Sequence, residues 1–168
     1  MESTQKISGF LLVICIFVFG TGAMTTAQNR LSLLTPDEAA RLRLEPEDQV
    51  SERTLRGTVG PRILVREPSV RYTPDGSVIE TAPSTRFLIV FEPNGAPVDM
   101  DSLEIKARKG IFSMSLTPRL KPYIQGSSLS ADSVSVPEGR FLIQIEILDT
   151  AGARAVETYR LEVRRLGS

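Results

Sequence analysis

The chain has no histidine, no tryptophan and a single cysteine, Cys15. Each absence removes a class of chemistry. Without histidine there is no side chain that ordinarily titrates near neutral pH, so Ser-His-Asp and Cys-His catalysis are excluded, and so is imidazole ligation of a metal. Cys15 lies inside an uncharged apolar run from Ile7 to Phe19, and no second cysteine exists to form a disulfide or a thiolate metal site with it. A Ser-Lys pair is the remaining nucleophile–base option, but Ser-x-x-Lys spacing does not occur after residue 27. The reading is therefore a non-enzyme with no cofactor. The absence of tryptophan, with only three tyrosines, also weakens a carbohydrate platform, which presents flat aromatic faces. Charge of one sign is absent too: 20 basic residues balance 20 acidic ones, which argues against bulk binding to nucleic acid or anionic lipid.

The one long hydrophobic run sits at the start. A polar beginning with Lys6 precedes it, and Thr25-Thr26-Ala27 follows it. That layout is a secretory signal peptide over residues 1–27, cut after Ala27 or alternatively after Ala23. The run is shorter than the ~20 residues of a spanning helix, and a membrane role is expected only if the signal stays uncleaved. Val13 and Ile14 before Cys15 do not suit lipidation. An exported domain without disulfides points to a bacterial periplasm or cell surface. Cleavage removes Glu2 and Lys6 together, so the mature chain stays neutral and is long enough for one domain with a core.

Residues 28–58 read as a helical appendage and charged linker. Thr35 is placed to cap a short helix, Pro36 fits its first position, and Glu38 closes a capping box. Ala39, Leu42 and Leu34 share a stripe, and Glu45 to Arg56 follows as a charged connector. So short a helix needs a surface to dock on. Residues 59–168 change to a β pattern. Ile63 to Val65 is an edge strand, Tyr72 to Gly76 a turn, and Phe87 to Phe91 a strand apolar on both faces. Asp99 to Ser102 reads as a capped turn into a strand with Leu103, Ile105 and Ala107. Lys109-Gly110 turns into a strand with Phe112, Met114 and Leu116, and a short helical turn follows from Thr117 to Tyr123. Phe141, Ile143, Ile145 and Ile147 alternate with Gln144 and Glu146, the period of a half-buried strand. Asp149 to Gly152 returns the chain as a partner strand through Tyr159, Leu161 and Val163. The fold class is all-β, an antiparallel Ig-like β-sandwich with a short N-terminal helical appendage.

The segment Pro137-x-Gly139-x-Phe141, with Ile143, Ile145, Asp149 and Gly152, resembles the Ig-like and fibronectin-like β-sandwich modules of bacterial exported proteins. Val98-Asp-x-x-Ser-Leu103 and Thr117-x-Arg-x-Lys-Pro-Tyr123 are similar to segments of uncharacterised periplasmic Ig-like domains. The resemblance covers Gly60 to Arg164. It implies a binding or spacer unit, and it departs from the tyrosine-corner pattern at Phe141.

Two groups of residues are candidates for contact with a partner. Leu88, Val90, Leu142 and Leu148 occupy strand faces opposite the core-facing sets; if their strands are neighbours, they form an outer apolar strip that something must cover. The cover is the N-terminal helix, docked there or at an adjoining edge, or else a partner protein or second copy. Arg108, Lys109, Arg119 and Lys121 form a candidate basic patch, with ordinary solvated side chains as the competing reading. Asp99, Asp101 and Asp149 offer oxygens for a hard cation, against local roles as turn caps. The expected function is a non-catalytic exported Ig-like interaction or accessory module of the bacterial cell envelope. Its partner is expected to be another envelope protein or a self-contact. The alternative is a cation- or glycan-binding β-sandwich module.

Overall fold

The computed structural model describes residues 30–46, 48 and 60–165. The expected signal segment and most of the expected charged connector lie outside the described residues. Eleven strands are present among the described residues: β1 Leu31–Ser32, β2 Arg62–Glu67, β3 Val70–Thr73, β4 Gly76–Thr81, β5 Ser84–Glu92, β6 Val98–Lys109, β7 Phe112–Ser115, β8 Ile124–Gln125, β9 Ser128–Ser135, β10 Gly139–Asp149 and β11 Arg154–Val163. Helix α1, Pro36–Leu42, lies between β1 and β2, and α2, Thr117–Leu120, follows β7.

The strands form two sheets, one in the order β1-β9-β5-β2 with β8 on β9, the other in the order β3-β4-β11-β10-β6-β7. The long strands β5, β6, β9 and β10 alternate between the sheets, and β6-β10-β11 is antiparallel throughout. This is the Ig-like β-sandwich. Two of its pairings are parallel, β4 with β11 and β1 with β9. The wholly antiparallel expectation is corrected there: β4 leaves its hairpin with β3 and lays its other side along β11, and β1 adds to β9 at the edge of the facing sheet.

The alternation of β10 buries Phe141, Ile145 and Ile147, and β11 answers with Ala155, Tyr159, Leu161 and Val163. From the facing sheet come Ile63, Ile89, Phe91, Leu129 and Ala131. A cavity at this core is about 40 Å³ and lined only by apolar side chains and Tyr159, room for about one small group.

The N-terminal helical appendage is docked and not a free tail. Leu33, Leu34, Ala39 and Leu42 belong to the same core as the sheets. Leu33 N–H donates to Ser135 O at 2.9 Å, and Leu44 N–H donates to Arg140 O at 2.8 Å. Helix α1 therefore closes the flank where β9 of one sheet faces β6 and β10 of the other. The docking is at an adjoining edge of the sandwich and not on the outer faces that carry Leu88, Val90 and Leu142. The helical part of residues 28–58 packs into the core of the sandwich. Apolar residues are sparse in residues 28–58, but Leu33, Leu34, Ala39, Leu42 and Leu44 are all buried.

One local reading changes, and one strand is new. Asp99 to Ser102 is strand, the start of β6, with a bulge opposite Glu146 to Leu148. Ser102 Oγ accepts from Leu148 N–H at 2.9 Å and donates to Asp99 O at 2.6 Å, so it fills the gap that the bulge opens in the ladder. The stretch Gly76 to Thr81 is also strand, paired with both β3 and β11.

Candidate interaction surface

The four residues of the candidate apolar strip fall on two faces. Leu88 and Val90 lie on β5, whose outer face they share with Leu64, Ser128 and Ser130. Leu142 and Leu148 lie on β10, in the other sheet. The condition for a continuous strip, that these strands be neighbours, is not met: β5 and β10 belong to opposite layers and their outer faces point away from each other. Each leucine of β10 is flanked by charged side chains in register, Leu142 by Arg108 and Arg160 and Leu148 by Arg154 and Asp99. Long arginine stems cover apolar surface while the guanidinium stays in water, and all four residues are half-buried.

The candidate basic patch is likewise dispersed. Consecutive residues of a strand point to opposite faces, so Arg108 and Lys109 part company. Arg108 donates to Gln144 on the outer face, while Lys109 Nζ turns under the sheet and donates to Arg43 O at 2.6 Å. Arg119 is committed to Glu38 by two hydrogen bonds, of 2.8 and 2.7 Å, and also donates to Leu33 O at 2.8 Å. Lys121 is exposed at the short 3-10 turn Lys121–Tyr123.

The Glu38–Arg119 pair shows how one residue serves two levels of structure. Glu38 accepts from Thr35 N–H at 2.8 Å, completing the capping box of α1, and pairs with Arg119 to tie α1 to α2. Hydrogen bonds from Arg119 and Thr35 to the charged form lower the Glu38 pKa from 4.5 to about 2.

Two of the three acidic residues considered for a cation, Asp99 and Asp149, are occupied locally, and Asp101 is exposed. Asp99 Oδ1 accepts from Asp101 N–H at 3.1 Å. Asp149 Oδ1 accepts from Ala151 and Ala153 N–H at 3.0 and 2.8 Å, the hairpin-turn role of a buried aspartate. Among the described residues no group of three or more potential ligands is arranged to hold a metal.

What the fold brings together is a different surface, at the β6–β7 hairpin. Lys109 pairs with Phe112, leaving Gly110 and Ile111 as a two-residue turn. Gly110 has φ +56°, the positive first position of a II′ turn. Ile111 at the tip is 93% exposed and Phe112 beside it 69%. Below them lies an open cleft of about 420 Å³ between β7 and α1, lined by Glu38, Arg41, Leu42, Phe112, Ser113 and Met114. The sequence carries a signal for this site that a strand reading passes over: Ile111 is a β-branched apolar residue in a turn, where small or polar residues are usual.

A second feature is a carboxylate on the inner face of β11. The alternation that buries Tyr159 and Leu161 points Glu157 inward too, and Tyr159 Oη donates to it. Burial raises the pKa of Glu157 and pushes that of Tyr159 well above the ordinary phenol range.

No family model and no curated protein matches this chain. Among solved structures, murine CRIg is similar at a TM-score of 0.34 and 10% identity, over 62% of this chain and 99% of that one. Among the described residues no helix is long and apolar enough to cross a membrane.

Proposed function

We propose that the chain is an exported, non-catalytic Ig-like interaction module of the bacterial cell envelope, and that it works through the β6–β7 hairpin. The observation that carries this reading is the pair of large apolar side chains at the hairpin tip, Ile111 and Phe112, held out to solvent beside a cleft. Exposed apolar groups so placed cost solubility and are kept where a partner covers them. The rest of the reading comes from the sequence. The apolar run Ile7 to Phe19 has the form of an export signal, cysteine is confined to that run, and no histidine is present for catalysis.

Site-specific photo-crosslinking tests the contact in the producing cell. A crosslinker at Ile111 should trap a defined envelope protein, and Phe112→Ser should abolish the product while leaving the melting temperature within a few degrees. A crosslinker at Leu88, on the far sheet, should not trap it. Trapping from Leu88 but not from Ile111 would move the site. Mass spectrometry of the purified protein tests export: a mature N-terminus near Gln28 is expected, and an intact N-terminus retained with membranes would replace the cleaved signal by an anchor.

A further inference from the structure

We propose that β7 is a docking edge that accepts an extended segment of a partner protein as an added antiparallel strand, its side chains alternating into the cleft beside α1. The proposal rests on the hairpin being the contact site and specifies the partner's chemistry. Among the described residues β7 ends its sheet and pairs only with β6. Its hydrogen-bond phase is set by the two-residue turn and by Leu116 N–H, which donates to Ile105 O at 2.7 Å. Phe112, Met114 and Leu116 thus spend their backbone groups on β6, and those of Ser113 and Ser115 face outward. Both serines are exposed.

The other edges are defended in the ways that prevent strand addition. β1 and β8 are two residues long. β2 carries Arg62, Arg66 and Glu67, with a bulge between Val65 and Glu67. β3 carries Arg71, ion-paired to Glu80. β7, Phe-Ser-Met-Ser, has no charge, no proline and no bulge.

Charge complementarity selects the partner. Glu38 at the cleft is neutralised by Arg119 and Lys109 at the hairpin base is paired with Asp48, whereas Arg41 on the cleft rim has no ion-pair partner among the described residues. A second copy adding its own β7 would offer Phe-Ser-Met-Ser, which has no carboxylate for Arg41, so the occupant is a foreign segment. It presents apolar side chains at every second position, for Leu42, Phe112 and Met114, and a carboxylate for Arg41.

A phage-displayed library of random twelve-residue peptides, selected on the mature full chain, tests this. Enriched peptides should alternate apolar residues and include Asp or Glu. N-methylation of alternate backbone amides in a synthesised binder should weaken it at least ten-fold. Ser113→Pro should do the same, since proline is tolerated where the strand N–H faces solvent but removes the outward donor. Arg41→Glu should switch the selected charge from acidic to basic, which keeps the test intact if Ser113→Pro fails to fold. No enrichment, apolar residues at helical spacing, or binding indifferent to N-methylation would overturn the proposal. So would a dimer in sedimentation that Ser113→Pro dissociates, or co-sedimentation with phosphatidylglycerol vesicles lost in Ile111→Ser. If crosslinking from Ile111 succeeds while peptide selection fails, the hairpin remains the contact site and strand addition falls.

Discussion

At the scale of single residues, the sandwich works by alternation, and its consequences can be measured. Ile145 is 2% exposed while Gln144 beside it is half-buried on the outer face. Ile145→Ala should cost ~2–5 kcal/mol, from lost transfer energy and the cavity left behind, and Gln144→Ala much less. Urea melts of the two variants decide this, and equal losses would contradict the strand's orientation. The two perturbed carboxyls predict opposite pH trends. Glu157 has its pKa raised by burial, so the folded state binds its proton more tightly than the unfolded chain does. Its contribution is complete below the ordinary glutamate value of about 4.3 and is lost as pH rises through the folded value. Glu38, lowered to about 2, contributes above the ordinary value and loses that contribution as pH falls toward 2. Glu157→Gln should therefore flatten the decline in melting temperature on the neutral side of pH 4, and Glu38→Gln the decline on its acid side. Unchanged profiles would remove these groups from the balance. Tyr159, Leu161 and Val163 declare the inner face of β11 by period alone. That the same face admits Glu157 depends on the phenol of Tyr159 lying within reach of it.

Elements are decided by residues that satisfy backbone groups. Thr35, Pro36 and Glu38 specify α1 locally, and the capping box forms as their spacing requires. Ser102 is less legible. Its sequence neighbours suggest a turn, and only the partner strand β10 shows that its hydroxyl repairs a bulge by accepting from Leu148 N–H. Ser102→Ala should cost ~1–3 kcal/mol, the penalty of a part-buried amide left without a partner, and should speed hydrogen exchange at Leu148. An unaltered exchange rate there would show that water or a shifted register replaces the hydroxyl. Helix α1 gains its stability from docking and not from propensity. Leu34 and Leu42, 1% and 4% exposed, should each cost ~2–5 kcal/mol when replaced by alanine.

At the scale of the whole molecule, those leucines make the N-terminal segment part of the domain. Gly139 records the closeness: its φ is +145°, and a Cβ there would meet Arg43 Nε at 2.8 Å. Deleting residues 28–58 strips the flank of β9, β6 and β10, so the truncated chain should melt well below the full one and self-associate through the exposed core. A truncated monomer with an unchanged melting temperature would return the segment to the status of a free tail. Sequence by itself determined the all-β class, the main hairpin of β10 and β11, the capped helix and the exclusion of histidine and disulfide chemistry, because each follows from residue type and short-range period. Which strands share a layer was a tertiary decision. Leu88 and Leu142 have the same local pattern, yet they lie on opposite outer faces because β5 and β10 pair with different neighbours. The same long-range pairing disperses Arg108, Lys109 and Arg119 and leaves β7 as the uncharged edge. Strand order joins residues far apart in the chain, and no local period encodes it.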